Sequence, residues 1–427
     1  RSVSSGLTCL FNRAMEPRVR KWWIIVFAAI VVLALVTAGR LSSRRVSAEA
    51  TLQAYKAELR RQGEKLTFAE LQAGGGGERR VDLSRFETAA ALLPTGSVGL
   101  EDLAVMFYTA PGQARVSWRA NRPPFNAYVT NSASTWDDLI RRAEEAAEFR
   151  RELVWSTQDP VLRLGRAYSD LANRRLTDEL LLKRQAARWL AGAALVELHA
   201  GRQESAQESL ETVLGITQLQ RDEYFLVTQM HRVALGSLAM ALTWELLQWE
   251  GWDDAQLARL QERWAEVDFL EALERGLQAD RAWFAQGILE MEAASNRGWA
   301  SEGNGGLVEW LEGGIHAWLW HSANEELFYL RQLQPLLEKV RSLAAEEPMA
   351  GVNSELSNLE IALDRTNGGW VSRRQHAISL IALPIAHRAI PQAVEREAQR
   401  RLPIVALALA RYSRACGRPP VSLGCLV

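Results

Sequence analysis

"DDAQLARLQERWAEVDFLEAL", residues 253–273, decides how this chain is read. Leu257, Leu260, Trp264, Val267 and Leu270 recur at steps of three and four, the spacing of one apolar stripe on a helix. Asp253 followed three residues later by Gln256 has the form of a capping box, in which each satisfies a backbone N–H that the first helical turn leaves over. The same grammar opens "STWDDLIRRAEEAAEFRREL", residues 134–153. There Ser134 and Thr135 supply the cap signal and acidic residues in the first turn complement the helix dipole. No strand-like alternation of comparable length follows residue 136.

Between these stretches lies "WLAGAALVELHAGRQESAQESLETVLGIT", residues 189–217. Gly201 separates two helical patterns. Ala206, Leu210, Val213, Leu214 and Ile216 follow at the spacing of the second helix of a tetratricopeptide hairpin, with the small Ala206 where two helices cross closely. No second copy stands at a 34-residue period, so an ordinary αα-hairpin is the favoured reading. The expected fold is all-α: an N-terminal transmembrane helix, then αα-hairpins packed as a bundle or short solenoid, one of them tetratricopeptide-like.

The membrane expectation rests on "RKWWIIVFAAIVVLALVTAGRLSSRR", residues 20–45. Residues 22–39 carry no charge, and at helical rise they span about 27 Å, enough for a hydrocarbon core. Val36-Thr37-Ala38 fits a signal-peptide cleavage pattern. The length of the run, and Trp22 and Trp23 at its edge, favour an uncleaved anchor instead. Arg18, Arg20 and Lys21 before the span balance Arg40, Arg44 and Arg45 after it, so the positive-inside count is a tie. The short tail and signal-like layout favour a single-pass protein with the bulk of the chain outside the cytoplasm. Met15 reads as a natural start, with residues 1–14 read as upstream translation or a fragment edge.

The expected organisation is a tail over 1–21, the anchor over 22–39, and a stalk with a Gly-rich linker over 40–80. A mixed, loop-rich segment follows over 81–135, with "RVSW" and "NAYV" as candidate short strands. Helical regions cover 136–298 and 299–415, and a turn motif covers 416–427. Pro384 and Pro391 interrupt the apolar run over 378–390, which leaves it too short and broken for a second span.

Composition narrows the function classes. With 50 basic and 51 acidic residues the net charge is −1, and no electrostatic footprint for nucleic acid stands out. Cys9, Cys416 and Cys425 leave residues 10–415 without a disulfide framework, a CxxC metal site or a thiol nucleophile. "GGGGER" and "EGNGG" lack the Lys-Ser/Thr of a phosphate-binding loop, and no GxSxG, HExxH or SxxK pattern occurs. His316 and His321, with Glu312 and Glu325 a turn outside them, are the one cluster with metal-binding residue types. A spacing of five splays the two imidazoles about 140° around a continuous helix, so local polar satisfaction is the preferred reading. His199, His231, His376 and His387 have no ligand-spaced company. Of 16 tryptophans, Trp189, Trp244 and Trp264 fit apolar helical stripes, while Trp299, Trp310, Trp318, Trp320 and Trp370 fall near Gly-rich breaks where a groove or interface could form. No catalytic, cofactor-binding or metal residue is expected.

"WDDAQLARLQERWAEVDFLEALERGLQADRAWF" (252–284) and "AVEREAQRRLPIVALALARYSRACGRPPVSLGCLV" (393–427), together with the anchor, resemble a family of uncharacterised, single-pass, helix-rich bacterial proteins of planctomycete and verrucomicrobial type. Tyr412, Gly417, Arg418, Pro419, Ser422, Leu423 and Val427 sit on that family's closing pattern, whereas Cys416 and Cys425 depart from it. Members usually continue into a short Pro-rich tail. The "YxxxxGRxP" ending also resembles part of type II secretion pseudopilins. It has a simple physical sense: Gly417 can take the left-handed cap that ends a helix, and Pro419 stops its continuation. The resemblance implies architecture and location, with no activity to carry over. The expected function is a membrane-anchored, extracytoplasmic helical scaffold or protein-interaction module of the bacterial envelope. Its partners would be membrane lipid through residues 22–39 and an envelope protein. The alternatives are an accessory component of a secretion or pilus-like system, and a cryptic hydrolase or glycan-binding protein.

Overall fold

The computed structural model describes residues 46–73, 84–92, 99–157 except 111 and 130–132, 174–298 except 220 and 222–224, 321–344, and 350–424 except 423. It also describes residues 26, 28, 29, 32 and 43. The segment read as an anchor thus lies outside the described residues apart from four positions, each helical. Among the described residues no helix is long and apolar enough to cross a membrane.

The chain is overwhelmingly helical. A helix α1 covers residues 46–61, followed by α2 (Phe68–Ala73) and α3 (Ser84–Ala91). A small antiparallel hairpin, β1 (Phe107–Ala110) and β2 (Gln113–Arg115), is the one sheet among the described residues. Then come α4 (Trp136–Glu145), α5 (Ala147–Thr157), α6 (Arg174–His199), α7 (Gln203–Gln218), α8 (Leu226–Leu247), α9 (Asp254–Ala265) and α10 (Leu270–Gly298). The last are α11 (Ser322–Ala344), α12 (Ala350–Gly368), α13 (Trp370–Gln375) and α14 (Ser379–Cys416).

Neighbours in sequence are mostly neighbours in space. α6 pairs with α7, α7 with α8, α10 with α11 and α11 with α12, each closing a hairpin; α8 also packs on α6 and α10. α14 then lies across α8, α9, α10, α11 and α12, closing the layer of hairpins. A single large apolar core runs from Phe86 to Leu407. The stripe of the opening stretch faces it: Leu257, Leu260, Trp264, Val267 and Leu270 are all buried. Inside, the Trp264 indole N–H donates to Thr243 Oγ1 at 3.0 Å, so the large ring is buried without an orphaned donor.

The local signals translate into caps. Asp253 accepts from the Gln256 amide at 2.7 Å and Gln256 Oε1 accepts from the Asp253 amide at 3.0 Å. Thr135 and Asp138 make the same reciprocal pair at the start of α4. Gly417 ends α14 at φ +69°, the left-handed geometry a residue without Cβ adopts freely. The hairpin over 189–217 forms as two helices, α6 and α7, about a turn with Gly201 at φ +77°.

Several expectations are corrected. α1 does not stand off as a stalk: Leu52 and Leu59, with Leu66 beyond it, pack on Ala323, Leu327 and Leu330 of α11. The reason is apolar spacing that sequence alone left without a partner: Leu52 and Leu59 lie seven apart, two turns along one face. "RVSW" contributes only Arg115 to a strand, because Ser117–Arg119 forms a 3-10 turn whose first amide bonds a carboxylate rather than a neighbouring strand. "NAYV" is a turn, closed by the Val129 amide on the Asn126 carbonyl. Pro384 and Pro391, which interrupt the apolar run over 378–390, lie inside one helix that runs on through both and through Pro403, and α14 is not apolar enough to cross a membrane.

Candidate functional site

A groove of about 360 Å³ opens between α6, α8 and the segment from Glu101 to Tyr128. α8 supplies an apolar wall of Ala234, Leu235, Leu238 and Ala241. Leu103 and Val105 line the opposite side, and Arg184 and Arg188, one helical turn apart on α6, sit at the rim with Tyr128 and Asn126.

The groove exists because the irregular segment is fastened at three places. First, the 3-10 turn Leu100–Asp102 lies directly on α6 at Gly192. A Cβ there would stand 1.9 Å from the Leu100 carbonyl oxygen, so no side chain fits. Second, Glu245 of α8, fully buried, accepts the Met106 amide at 2.9 Å and the Ser117 amide at 3.0 Å. Its backbone carbonyl takes the Trp118 indole N–H at 3.1 Å. Met106 is held at φ +57°, a conformation uncommon outside glycine that those contacts enforce. Third, His199 Nδ1 lies 2.8 Å from the Trp118 carbonyl, and its ring stacks on Trp136 at 4.2 Å between centroids.

Electrostatics at the rim are mixed but directional. Arg188 donates to the Tyr128 hydroxyl and places its guanidinium 5.5 Å from the centre of that ring. The hydroxyl in turn donates to Asp102 Oδ1 at 3.2 Å. Burial raises the Glu101 carboxyl above the ordinary glutamate range, with Arg188 and Arg142 pulling it back. Burial, with Lys183 and Arg184 close by, lowers the half-buried His231 imidazole to about 4, so it is neutral at neutral pH. Two guanidinium groups at the edge of an apolar wall fit a carboxylate-bearing amphipathic segment: the wall takes its apolar side chains and the arginines take its acids.

A second groove, about 440 Å³ between α5, α7 and α9, is lined by Glu204, Glu208, Glu211, Arg259 and Arg263. Most of its charges pair with one another or with near neighbours: Arg259 with Glu211 at 3.4 Å, Glu208 with Arg150 at 3.0 Å, and Arg263 with Glu266 at 3.4 Å. It has no comparable apolar wall.

Of the histidines, glutamates and tryptophans singled out by sequence, some are described and some are not. His316 and Glu312 lie outside the described residues. His321 is buried just before α11, its Nε2 3.4 Å from Glu49 of α1. Glu325 is fully buried and accepts the Ser379 amide at 2.5 Å, holding the start of α14 against α11. Among the described residues no three His, Cys, Asp or Glu side chains gather as metal ligands would. His376 stacks on Phe328 at 4.4 Å, and burial lowers its imidazole. Trp189 and Trp264 are core, Trp244 is half-buried and Trp370 is exposed; Trp299, Trp310, Trp318 and Trp320 lie outside the described residues. Cys416 is an exposed free thiol. Sequence reading missed the groove arginines, although their spacing of four within "KRQAAR" was visible as a basic edge.

Fold and groove together define an all-α helical-hairpin protein with an amphipathic, basic-rimmed cleft. No family model matches the chain, and no curated protein or solved structure matches it.

Proposed function

We propose that this protein is a membrane-anchored helical scaffold of the bacterial envelope that holds a partner protein in the groove between α6 and α8. The observation that carries the reading is that groove: an apolar wall of Leu235, Leu238, Leu103 and Val105 edged by Arg184 and Arg188. Its occupant is an acidic, amphipathic segment of an envelope protein. The apolar run over 22–39 and the resemblance to single-pass helix-rich bacterial proteins support placement at the inner membrane with the body outside the cytoplasm. The hairpin of α6 and α7 supplies the kind of rigid helical surface that tetratricopeptide-like proteins offer to partners.

The test is affinity capture of the tagged full chain from cross-linked cells split into membrane and soluble fractions. A stoichiometric partner should be recovered from the membrane fraction and lost with Arg184→Glu/Arg188→Glu, while the chain itself stays there. Retention of the partner by that variant would remove the groove from the account. A secretion-system component as partner would assign the protein to secretion.

A further inference from the structure

A second surface carries the membrane reading further. Residues 365–394 contain four arginines (Arg365, Arg373, Arg374, Arg388) and two histidines, and no Asp or Glu, in a chain whose acids and bases otherwise balance. This stretch forms the last turn of α12, which carries Arg365, then α13 and the first half of α14. Four of its apolar side chains are exposed: Trp370 by 52%, Val371 by 45%, Ile381 by 71% and Ile385 by 56%. Arg373 and Arg388 are exposed beside them, and the Arg374 guanidinium lies 4.9 Å over the Trp370 ring. Exposed Trp and Ile interleaved with arginine is the composition of a face that beds into the headgroup layer of an anionic bilayer. The nearest preceding acid in sequence is Asp364 on α12.

Position points the same way. The start of α14 is tied to the start of α11 by Glu325 and Ser379, and the end of α13 to α11 by His376 stacked on Phe328. The start of α11 meets the first turn of α1 where His321 pairs with Glu49. The basic-apolar face therefore sits at the pole where α1 begins. Nine residues lie between the end of the apolar run at residue 39 and Glu49, a reach of at most about 35 Å. The other end of α14, at Cys416, closes a helix of 38 residues, about 57 Å long. There it is bound to Asp254 and to the Trp252 carbonyl by Arg411 and Arg414.

We infer that the pole formed by α13 and the first turns of α14 rests on the surface of an anionic lipid bilayer, seating Trp370, Val371, Ile381 and Ile385 among headgroups. This rests on the anchored reading above. It orients the body, with α14 rising from the bilayer and Cys416 at the distal end.

The test uses the full chain reconstituted into vesicles containing anionic phospholipid and brominated acyl chains. One form carries Val371→Cys with Cys9, Cys416 and Cys425 replaced by Ser; the other keeps Cys416 as its sole thiol. Each is labelled with a small fluorophore and floated with the vesicles. The label at 371 should lose at least half its emission to the brominated lipid and the label at 416 essentially none. Arg373→Glu/Arg374→Glu should restore most of the emission at 371 without releasing the chain. Co-flotation with an unquenched label at 371 overturns the inference and leaves the anchor standing. Failure to float, with 371 unquenched, overturns both. If 371 stays bright in vesicles yet is shielded from thiol reagents in native membranes, a protein covers this face and the lipid assignment is wrong.

Discussion

Glu64 shows how single residues hold distant parts of this chain together. It lies after α1, almost fully buried, and accepts from Arg281 at 2.8 Å, from Gln334 at 2.9 Å and from both terminal nitrogens of Arg341. Although burial opposes ionisation, those donors hold its carboxyl down at about 2. A folded value below the unfolded one means stability that is fully present above about pH 4.5 and lost as pH falls towards 2. Glu64→Gln should therefore destabilise the protein by roughly 3–5 kcal/mol at pH 7, because two buried or half-buried guanidinium groups lose their shared partner. Urea unfolding at pH 7 and at pH 2.5 checks it: the gap between variant and parent should shrink at the lower pH, and a constant gap would sink the argument. Glu245 has the opposite sign. Burial raises its carboxyl, so its charged form weakens the fold as pH rises through the folded value. Glu245→Gln should accordingly flatten the decline of stability above pH 5 while still accepting an amide from the 3-10 turn, read by thermal melts across pH 4–8. The caps at Asp253, Thr135 and Gly417 were legible in sequence because each is made within three or four residues. The Glu64–Arg281 and Glu245–Ser117 contacts were not, since their partners lie 217 and 128 residues apart and no local pattern encodes such a pairing.

At the scale of elements, periodicity located helices well and their ends poorly. The stripe from Leu257 to Leu270 reads as one helix, yet α9 stops at Ala265 and α10 starts at Leu270. Asp268 causes the restart: its carboxylate accepts the Glu271 amide at 2.8 Å, capping α10 from its own N-terminus. The stripe survives because Val267 and Leu270 stay buried through the bend. Proline, read in the sequence as a break in an apolar run, marks no helix end here. α14 tolerates Pro384, Pro391 and Pro403 because Leu383, Ala386, Ala389, Ile390, Ala393, Val394 and Leu407 are buried along its length, and that packing outweighs an interior proline penalty of about 3 kcal/mol each. Pro391 is exposed, so replacing it adds a hydrogen-bond donor without disturbing the core. Pro391→Ala should stabilise the protein by roughly 1–3 kcal/mol. A chemical denaturation midpoint unchanged or lowered in that variant would show that α14 has adapted its backbone to the ring.

At the scale of the whole molecule, all-α architecture followed from composition and period, whereas the way α1 meets the rest did not. Read alone, residues 40–62 look like a helical tether. In the fold, Leu52, Leu59 and Leu66 form a small core with α11, and Lys56 pairs with Glu326 at 2.5 Å. Sequence could not show this because the matching apolar positions on α11 lie more than 250 residues away. The difference decides how the body is held. A free tether would let it swing; a docked α1 fixes the pole that carries His321, Ser379 and Trp370 next to whatever precedes residue 46. Docking also holds the exposed Arg60–Arg61 peptide bond in an ordered helix end, where a protease needs local opening to cut it. Leu59→Ala removes a side chain that is 1% exposed and should weaken this interface by about 2–5 kcal/mol. Combined with Leu52→Ala, it should lift α1 from α11 while the main core, which shares none of those residues, stays folded. Brief trypsin treatment of the full chain should then cut the double variant at Arg60 or Arg61 at least tenfold faster than the parent and yield a body fragment that keeps its helical circular dichroism. Equal cutting of both would mean that α1 is a tether after all, and the body would have no fixed bearing on the membrane.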